Sequence, residues 1–196
     1  MTASMDDVSE LLGGASAFYR KICTRLSERG IAGAEFPISH LAFRCGTFRE
    51  YLKMRNTLEE HAAANVENVW NGRPISKLVL GSPLELDSKA SVDLIELIPP
   101  FHQRVYPMGL EHIGFVVGER VDDFGKRFRS VLSGQQFQSA VCEPYYVRFE
   151  DFSHAKFYRH SLQKVCQLEN RRFHGFTHAD WTPDDLDAGP YPVLSS

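Results

Sequence analysis

Two stretches decide how this chain folds: Ile38-Ser39-His40-Leu41-Ala42-Phe43-Arg44 and, 72 residues further on, Leu110-Glu111-His112-Ile113-Gly114-Phe115. Both read as strands. Successive strand side chains point to opposite faces, so Leu41 and Phe43 share one face while His40, Ala42 and Arg44 share the other. A lone histidine in an apolar strand is usually a hydrogen-bonded core residue. Two histidines in matching contexts, each opening the same succession of elements, point instead to a shared task.

The succession extends outward from each strand. After the first comes a helix from about Phe48 to Ala62, with Tyr51, Met54, Leu58 and His61 or Ala62 as its buried stripe. Three strand-like runs follow at Val66 to Trp70, Pro74 to Leu80 and Val92 to Ile98, and Asn71-Gly72 between the first two is a hairpin turn signal. After the second strand, Val121, Phe124, Phe128 and Val131 mark a helix, and strands are expected at Tyr145 to Phe149, Ala155 to Arg159 and Lys164 to Leu168. Each half therefore reads β-α-β-β-β, over about 38–98 and 110–169. Residues 1–36 form a helical segment whose main helix starts at Ser16, buries Phe18, Tyr19, Ile22 and Leu26, and stops at Gly30. From His174 onward Pro183, Gly189, Pro190 and Pro192 interrupt any periodicity, so 174–196 is expected to be a tail or a strap.

The last strand of each half carries a carboxylate, Glu96 in Leu94-Ile95-Glu96-Leu97 and Glu169 in Gln167-Leu168-Glu169-Asn170. If the first and last strands of a half lie side by side, His40 meets Glu96 and His112 meets Glu169 on the face opposite the helices. Pairing the halves then gathers two imidazoles and two carboxylates at one point. Such a set suits one divalent ion, Zn, Fe, Mn, Ni or Co, with positions left for water or substrate.

Composition excludes much else. The 196 residues carry 22 Lys plus Arg against 25 Asp plus Glu and are 43% hydrophobic, enough for a core without staples. There is no basic stripe for nucleic acid, and no apolar run near the roughly 20 residues that span a bilayer. The acidic start, Asp6-Asp7, is unlike a secretory or mitochondrial signal, so a cytoplasmic protein is expected. Cys23, Cys45, Cys142 and Cys166 are widely spaced and read as thiols. Gly-rich phosphate loops and Gly-x-Ser-x-Gly elbows are absent from the sequence.

The segments Ile38 to Arg44, Asn71-Gly72-Arg73-Pro74-Ile75, Ile95-Glu96-Leu97 and Tyr106-Pro107 leading to Leu110-Glu111-His112-Ile113 resemble the YecM family of the vicinal oxygen chelate superfamily, the group of glyoxalase I, extradiol dioxygenases and bleomycin-resistance proteins. The resemblance implies an α+β fold in which paired βαβββ modules form a curved, cupped mixed sheet, helices outside, over about 37–173. It also implies one divalent metal held by His40, Glu96 and His112. Glu169 matches by repeat geometry, although polar Asn170-Arg171-Arg172 follows it.

Further candidates surround this set. Arg44, on the face of His40, and Arg73, just past the Asn71-Gly72 turn, suit a substrate carboxylate or phosphate, or else a structural acid and a loop carbonyl. His160 is a candidate to line the pocket, whereas His174 and His178, at i, i+4 spacing beside Gly175, fit a solvated tail better than a metal helix. The expectation is a metal-dependent enzyme acting on a small oxygen-chelating metabolite by isomerase, lyase or dioxygenase chemistry, with Glu169 or Glu96 moving the proton. The alternative is a non-catalytic module that binds a small ligand or a protein.

Overall fold

At the centre of the molecule, β1 (Ile38–Arg44) lies antiparallel to β5 (Gly109–Val116), and this seam joins two similar halves. The computed structural model describes residues 5–101 and 106–190. In the first half β1 leads through α3 (Phe48–Glu59) to β2 (Ala62–Trp70), β3 (Arg73–Glu85) and β4 (Ser91–Ile98). In the second, β5 leads through α4 (Val121–Arg127) to β6 (Gly134–Gln135), β7 (Tyr145–Arg148) and β8 (His154–Tyr158). The last strand of each half returns parallel to the first, β4 beside β1 and β8 beside β5. With β9 (Gly175–Thr177) the result is one curved nine-stranded mixed sheet in the order β6-β7-β8-β5-β1-β4-β3-β2-β9.

Local chemistry explains the elements. Asn71 and Gly72 both take positive φ, 50° and 76°, as the tight turn of a two-residue hairpin needs, and Trp70 pairs with Arg73 across it. Thr47 opens α3 with a capping box: its side chain accepts from Glu50 N at 3.0 Å, and the Glu50 carboxylate accepts from Thr47 N at 3.2 Å. Leu41, Ile95, Ile113 and Phe157 leave the sheet on its outer face. They pack with Ile22 and Leu26 of α2 (Ala15–Ser27), Tyr51 and Leu58 of α3 and Phe124 of α4, while a short α1 (Met5–Leu11) precedes α2. The opposite face holds the histidines.

The second half departs from expectation in its strand frame. Lys164 to Leu168 belongs to a helix, α5 (Leu162–Leu168), because Ser161 caps it by accepting from Lys164 N and because Leu162, Val165 and Cys166 bury one helical face rather than alternate. The three strands are instead β6, only two residues long, then β7 and β8. Glu169 therefore sits at the C-cap of a helix and not on a strand. Helix α4 stops at Arg127, so Phe128 and Val131 pack on the core from the turns beyond it.

The segment after His174 returns to the first half. Gly175–Thr177 pairs in parallel with Ala64 to Val66, Trp181 packs edge-on against Phe48 and Phe101, and Arg49 holds Asp187 at 2.6 Å. All four cysteines are free thiols, and no described helix is long and apolar enough to cross a membrane.

Candidate metal centre

Strand register assembles the site. Ala42 on β1 pairs with Glu96 on one side and with His112 on the other, so a row across three strands places a small methyl between a carboxylate and an imidazole. His40, two residues earlier on the same face, leans into that gap. Its Nε2 lies 3.3 Å from His112 Nε2 and 3.8 Å from Glu96 Oε2, and His112 Nε2 lies 3.3 Å from Glu96 Oε2. Ligand atoms about 2.0–2.1 Å from one ion at 90–109° to each other stand roughly 2.9–3.4 Å apart, so the three donors are spaced nearly as a bound ion would space them.

The halves repeat this arrangement as a two-fold exchange. Across the seam His40 pairs with Gly114 and His112 with Ala42, so each imidazole has the smallest residues opposite. At Gly114 the fit is absolute: a Cβ there would stand 2.4 Å from His40 Cε1. The register also slips twice, at Ser39 and at Glu111, each the residue before its histidine. A β-bulge releases a side chain from strict alternation. Ser39 Oγ consequently reaches His40 Nδ1 at 2.9 Å, and Glu111 Oε1 reaches His112 Nδ1 at 3.1 Å.

These contacts decide which ring nitrogens face the gap. The Glu111 carboxylate only accepts, so His112 Nδ1 donates to it and Nε2 is the nitrogen left facing the gap. Ser39 Oγ accepts from Leu162 N at 2.7 Å and hydrogen-bonds His40 Nδ1, which anchors that ring with its Nε2 toward the gap. Burial pushes His40 down to about 3, helped by His112, Lys156 and Lys77 and opposed by Glu96, so its imidazole is neutral. Burial alone would raise Glu96, but His112, His40 and Lys156 beside it outweigh that and hold its carboxyl well below the usual range. Two imidazole Nε2 atoms and a carboxylate oxygen thus converge on one point, nitrogen and oxygen donors of the kind that first-row divalent ions take. The donor set fits a divalent metal on that ground.

Glu111 is buried and anchored on three sides, by Arg44 Nε, His112 and, at 3.8 Å, His154 Nε2. Burial raises its pKa, yet these partners hold it below the usual carboxylate range. Arg44 also donates to the Pro99 carbonyl at 3.2 Å and lies over Tyr106. Its guanidinium thus lines the cavity already bound to a structural acid. Arg73 lies over the Trp70 ring and donates to the Asn71 carbonyl at 3.4 Å, but its Nε is buried with no hydrogen-bond partner among the described residues.

The centre opens into a cavity of about 530 Å³. Of the residues expected in the site, Glu96, His112, Arg44, Arg73 and Glu169 all line it. Glu169, however, is not gathered with the three donors: its carboxylate accepts from Ser139 Oγ at 2.6 Å and from Arg171. His160 borders a different, smaller depression, and His178 meets Glu59 at 2.7 Å on the surface. Sequence reasoning passes over Glu111, His154, Lys77 and Lys156. Lys156 is reachable once the frame is right, since Gly114 pairs with Lys156 as Ala42 pairs with Glu96.

The family model described as YecM protein matches residues 7–154. The chain belongs to the YecM family. Among solved structures, a structural genomics protein named EC4020 superposes with a TM-score of 0.69 at 21% identity, over 86% of this chain and 98% of that one, which shows a shared fold. Two further solved structures are similar over part of this chain. One is a glyoxalase/bleomycin resistance protein/dioxygenase superfamily member from Vibrio splendidus 12B01, with a TM-score of 0.39, 8% identity and 62% and 97% of the two chains covered. The other is a mutant of the fosfomycin resistance protein FosX from Listeria monocytogenes, with Mn(II) and 1S,2S-dihydroxypropylphosphonic acid, with a TM-score of 0.28, 11% identity and 67% and 95% covered. No curated protein matches the chain.

Proposed function

We propose that this YecM-family protein is a metal-dependent enzyme in which His40, Glu96 and His112 hold one divalent ion, and that its substrate is a small metabolite presenting neighbouring oxygens. The observation that carries this reading is the convergence of two imidazole Nε2 atoms and one carboxylate oxygen within 3.3 to 3.8 Å at the floor of an open cavity. Zn, Fe, Mn, Ni and Co all accept such donors, and when bound the ion would polarise substrate oxygens.

The protein's own residues divide the remaining work. Glu111 and Ser39 fix the imidazoles, so the donor atoms need no reorganisation when substrate arrives. Glu96, as a ligand, is poorly placed to move a proton. Glu169, on the cavity wall and outside the donor set, is the carboxylate available for that transfer, once its hydrogen bonds to Ser139 and Arg171 yield to substrate.

Elemental analysis of the purified protein, followed by titration of the chelated form with each of the five ions, tests the reading. One ion per chain is expected, lost in His40→Ala and in His112→Ala. A chelated protein that takes up none of the five would overturn it.

A further inference from the structure

The two halves are alike in nearly everything that builds the centre, and they part at one position. Ala42 pairs with Glu96 on the last strand of the first half, and its repeat counterpart Gly114 pairs with Lys156 on the last strand of the second. An ammonium group thus occupies the place where the repeat would put a second carboxylate. Lys156 is only 8% exposed, and its side chain lines the cavity without a hydrogen bond or ion pair to any described residue. Buried lysines are rare unless paired, because an ammonium taken from water needs a counter-charge.

The rest of the lining shares the excess. Six guanidinium or ammonium groups face three carboxylates, Glu96, Glu111 and Glu169. Arg44 is consumed by Glu111 and Arg171 by Glu169, while Glu96 is engaged with the histidines. Lys77, which pairs with Glu96 across β3 and β4, bonds only to neutral oxygens, the Asn68 side chain and the Ile75 carbonyl. Arg73 has a carbonyl and an aromatic face, and a buried Nε without an acceptor among the described residues. Three buried cations around Glu96 therefore lack an anion of their own, and a divalent ion on the donor set adds to that excess.

We propose that Lys156, Lys77 and Arg73 form an anion-binding wall beside the His40–Glu96–His112 centre, and that the substrate is a small dianion, carrying either a phosphate-type group or a pair of carboxylates. This deepens the metal-enzyme reading by naming the substrate class, but the wall itself is a property of the chain without metal. Lys156 is the residue that distinguishes the two. With a carboxylate there, four ligands would crowd the ion and repel an acid. With the ammonium, one ligand position is surrendered and the approaching anion is attracted.

The test uses the full chain in chelator, with inorganic phosphate and oxalate as probes and chloride at equal ionic strength as control. Phosphate or oxalate should raise the melting midpoint of the unaltered protein and bind one per chain by calorimetry; a response to phosphate alone identifies a phosphate-type substrate, and to oxalate alone a dicarboxylate. Lys156→Met should weaken that binding by at least about tenfold while metal uptake, titrated separately, is kept. Lys156→Glu should abolish anion binding and tighten metal binding, since it supplies a second carboxylate as a fourth ligand. Absence of any dianion-specific shift in the unaltered protein would overturn the proposal without reference to a variant. So would unchanged anion affinity in Lys156→Met, or loss of metal in that variant, which would make Lys156 a ligand. Failure of the metal reading shows separately, as no ion uptake with anion binding intact.

Discussion

The first half of the sheet gives the centre a histidine held by a serine, together with a carboxylate; the second gives a histidine held by a carboxylate, together with a lysine. The backbone plan is the same on both sides, down to a bulge at Ser39 and a bulge at Glu111. What differs is where the negative charge sits: in line with the donors at Glu96 in one half, behind the donor at Glu111 in the other. The difference teaches that a repeated frame keeps its geometry while its two copies divide the electrostatics, one placing a carboxylate among the converging donors and the other placing one behind a histidine, with a buried lysine beside it.

The comparison breaks first if the histidines prove unequal. Each half supplies one imidazole at the same depth, so His40→Ala and His112→Ala should each abolish stoichiometric metal uptake, measured by elemental analysis after dialysis. Metal at 100 times its dissociation constant stabilises the fold by about 2.7 kcal/mol, so chelation should lower the melting midpoint of the unaltered protein by about 5 to 11 °C. Neither variant should respond to chelator. A variant that still binds and still responds would show that its half is not needed.

The groups behind the histidines sharpen the contrast. Glu111→Gln should weaken metal binding by about 10 to 100-fold, and it also leaves the buried Arg44 guanidinium without its anion, at a cost of about 3–5 kcal/mol in chemical denaturation. Ser39→Ala should cost less, about 1–3 kcal/mol, because it strands the Leu162 N–H and a neutral imidazole. Equal losses from the two substitutions would mean that the charge behind His112 has no special part.

The residues opposite the histidines give the next effect. Gly114→Ala places a methyl within 2.4 Å of the His40 ring and should cost about 1–3 kcal/mol while displacing that donor, which metal titration would register. Ala42→Gly, its counterpart, removes volume and should cost only about 0.5–1 kcal/mol with metal binding retained. If Gly114→Ala binds metal as the parent does, the steric matching of the halves is incidental.

How much of this the sequence discloses follows from the length of each signal. The strands carrying His40, Glu96 and His112 are seven or eight residues long with clear alternation or apolar runs, and Asn71-Gly72 marks its turn by chemistry that no other pair matches as well. The second half loses its frame because β6 is two residues long and has no pattern to detect. The repeat then demands one more strand, and Leu162-Gln163-Lys164-Val165-Cys166-Gln167-Leu168 supplies apolar residues that a helix uses at i, i+3 and i+4. That single slip carries the carboxylate position to Glu169 and hides Lys156. Glu111 is hidden differently: strict alternation sends it to the helix face, and only the bulge, a property of pairing between distant strands, turns it toward His112.

The halves are also clamped to their neighbours by different means, which sets the smallest expected effect. The first half is covered by the C-terminal segment, through Trp181 and the exposed Arg49–Asp187 pair. The second is tied to α2 through Asp151, which accepts from Arg25 at 2.8 Å, Lys21 at 3.2 Å and Ser153 Oγ at 2.6 Å. Burial would raise the Asp151 pKa, but these hydrogen bonds outweigh it and hold the carboxyl below its ordinary range. A carboxyl depressed in the folded state contributes stability that is whole above its unfolded value near 3.9 and is lost as pH falls toward the folded value. Because Asp151 is 40% exposed, solvent screening limits the contribution to about 1 kcal/mol or less. Asp151→Asn should therefore be less stable than the parent by that amount at neutral pH in low salt, with the gap closing as pH drops below about 4 and shrinking in high salt. Arg49→Ala, whose pair is more exposed to solvent, should show a smaller pH-dependent gap, because Arg49 holds the Asp187 carboxyl only through a screened contact. Denaturation midpoints of both variants at several pH values decide it: a gap for Asp151→Asn that persists unchanged to low pH would trace the clamp to packing rather than to charge.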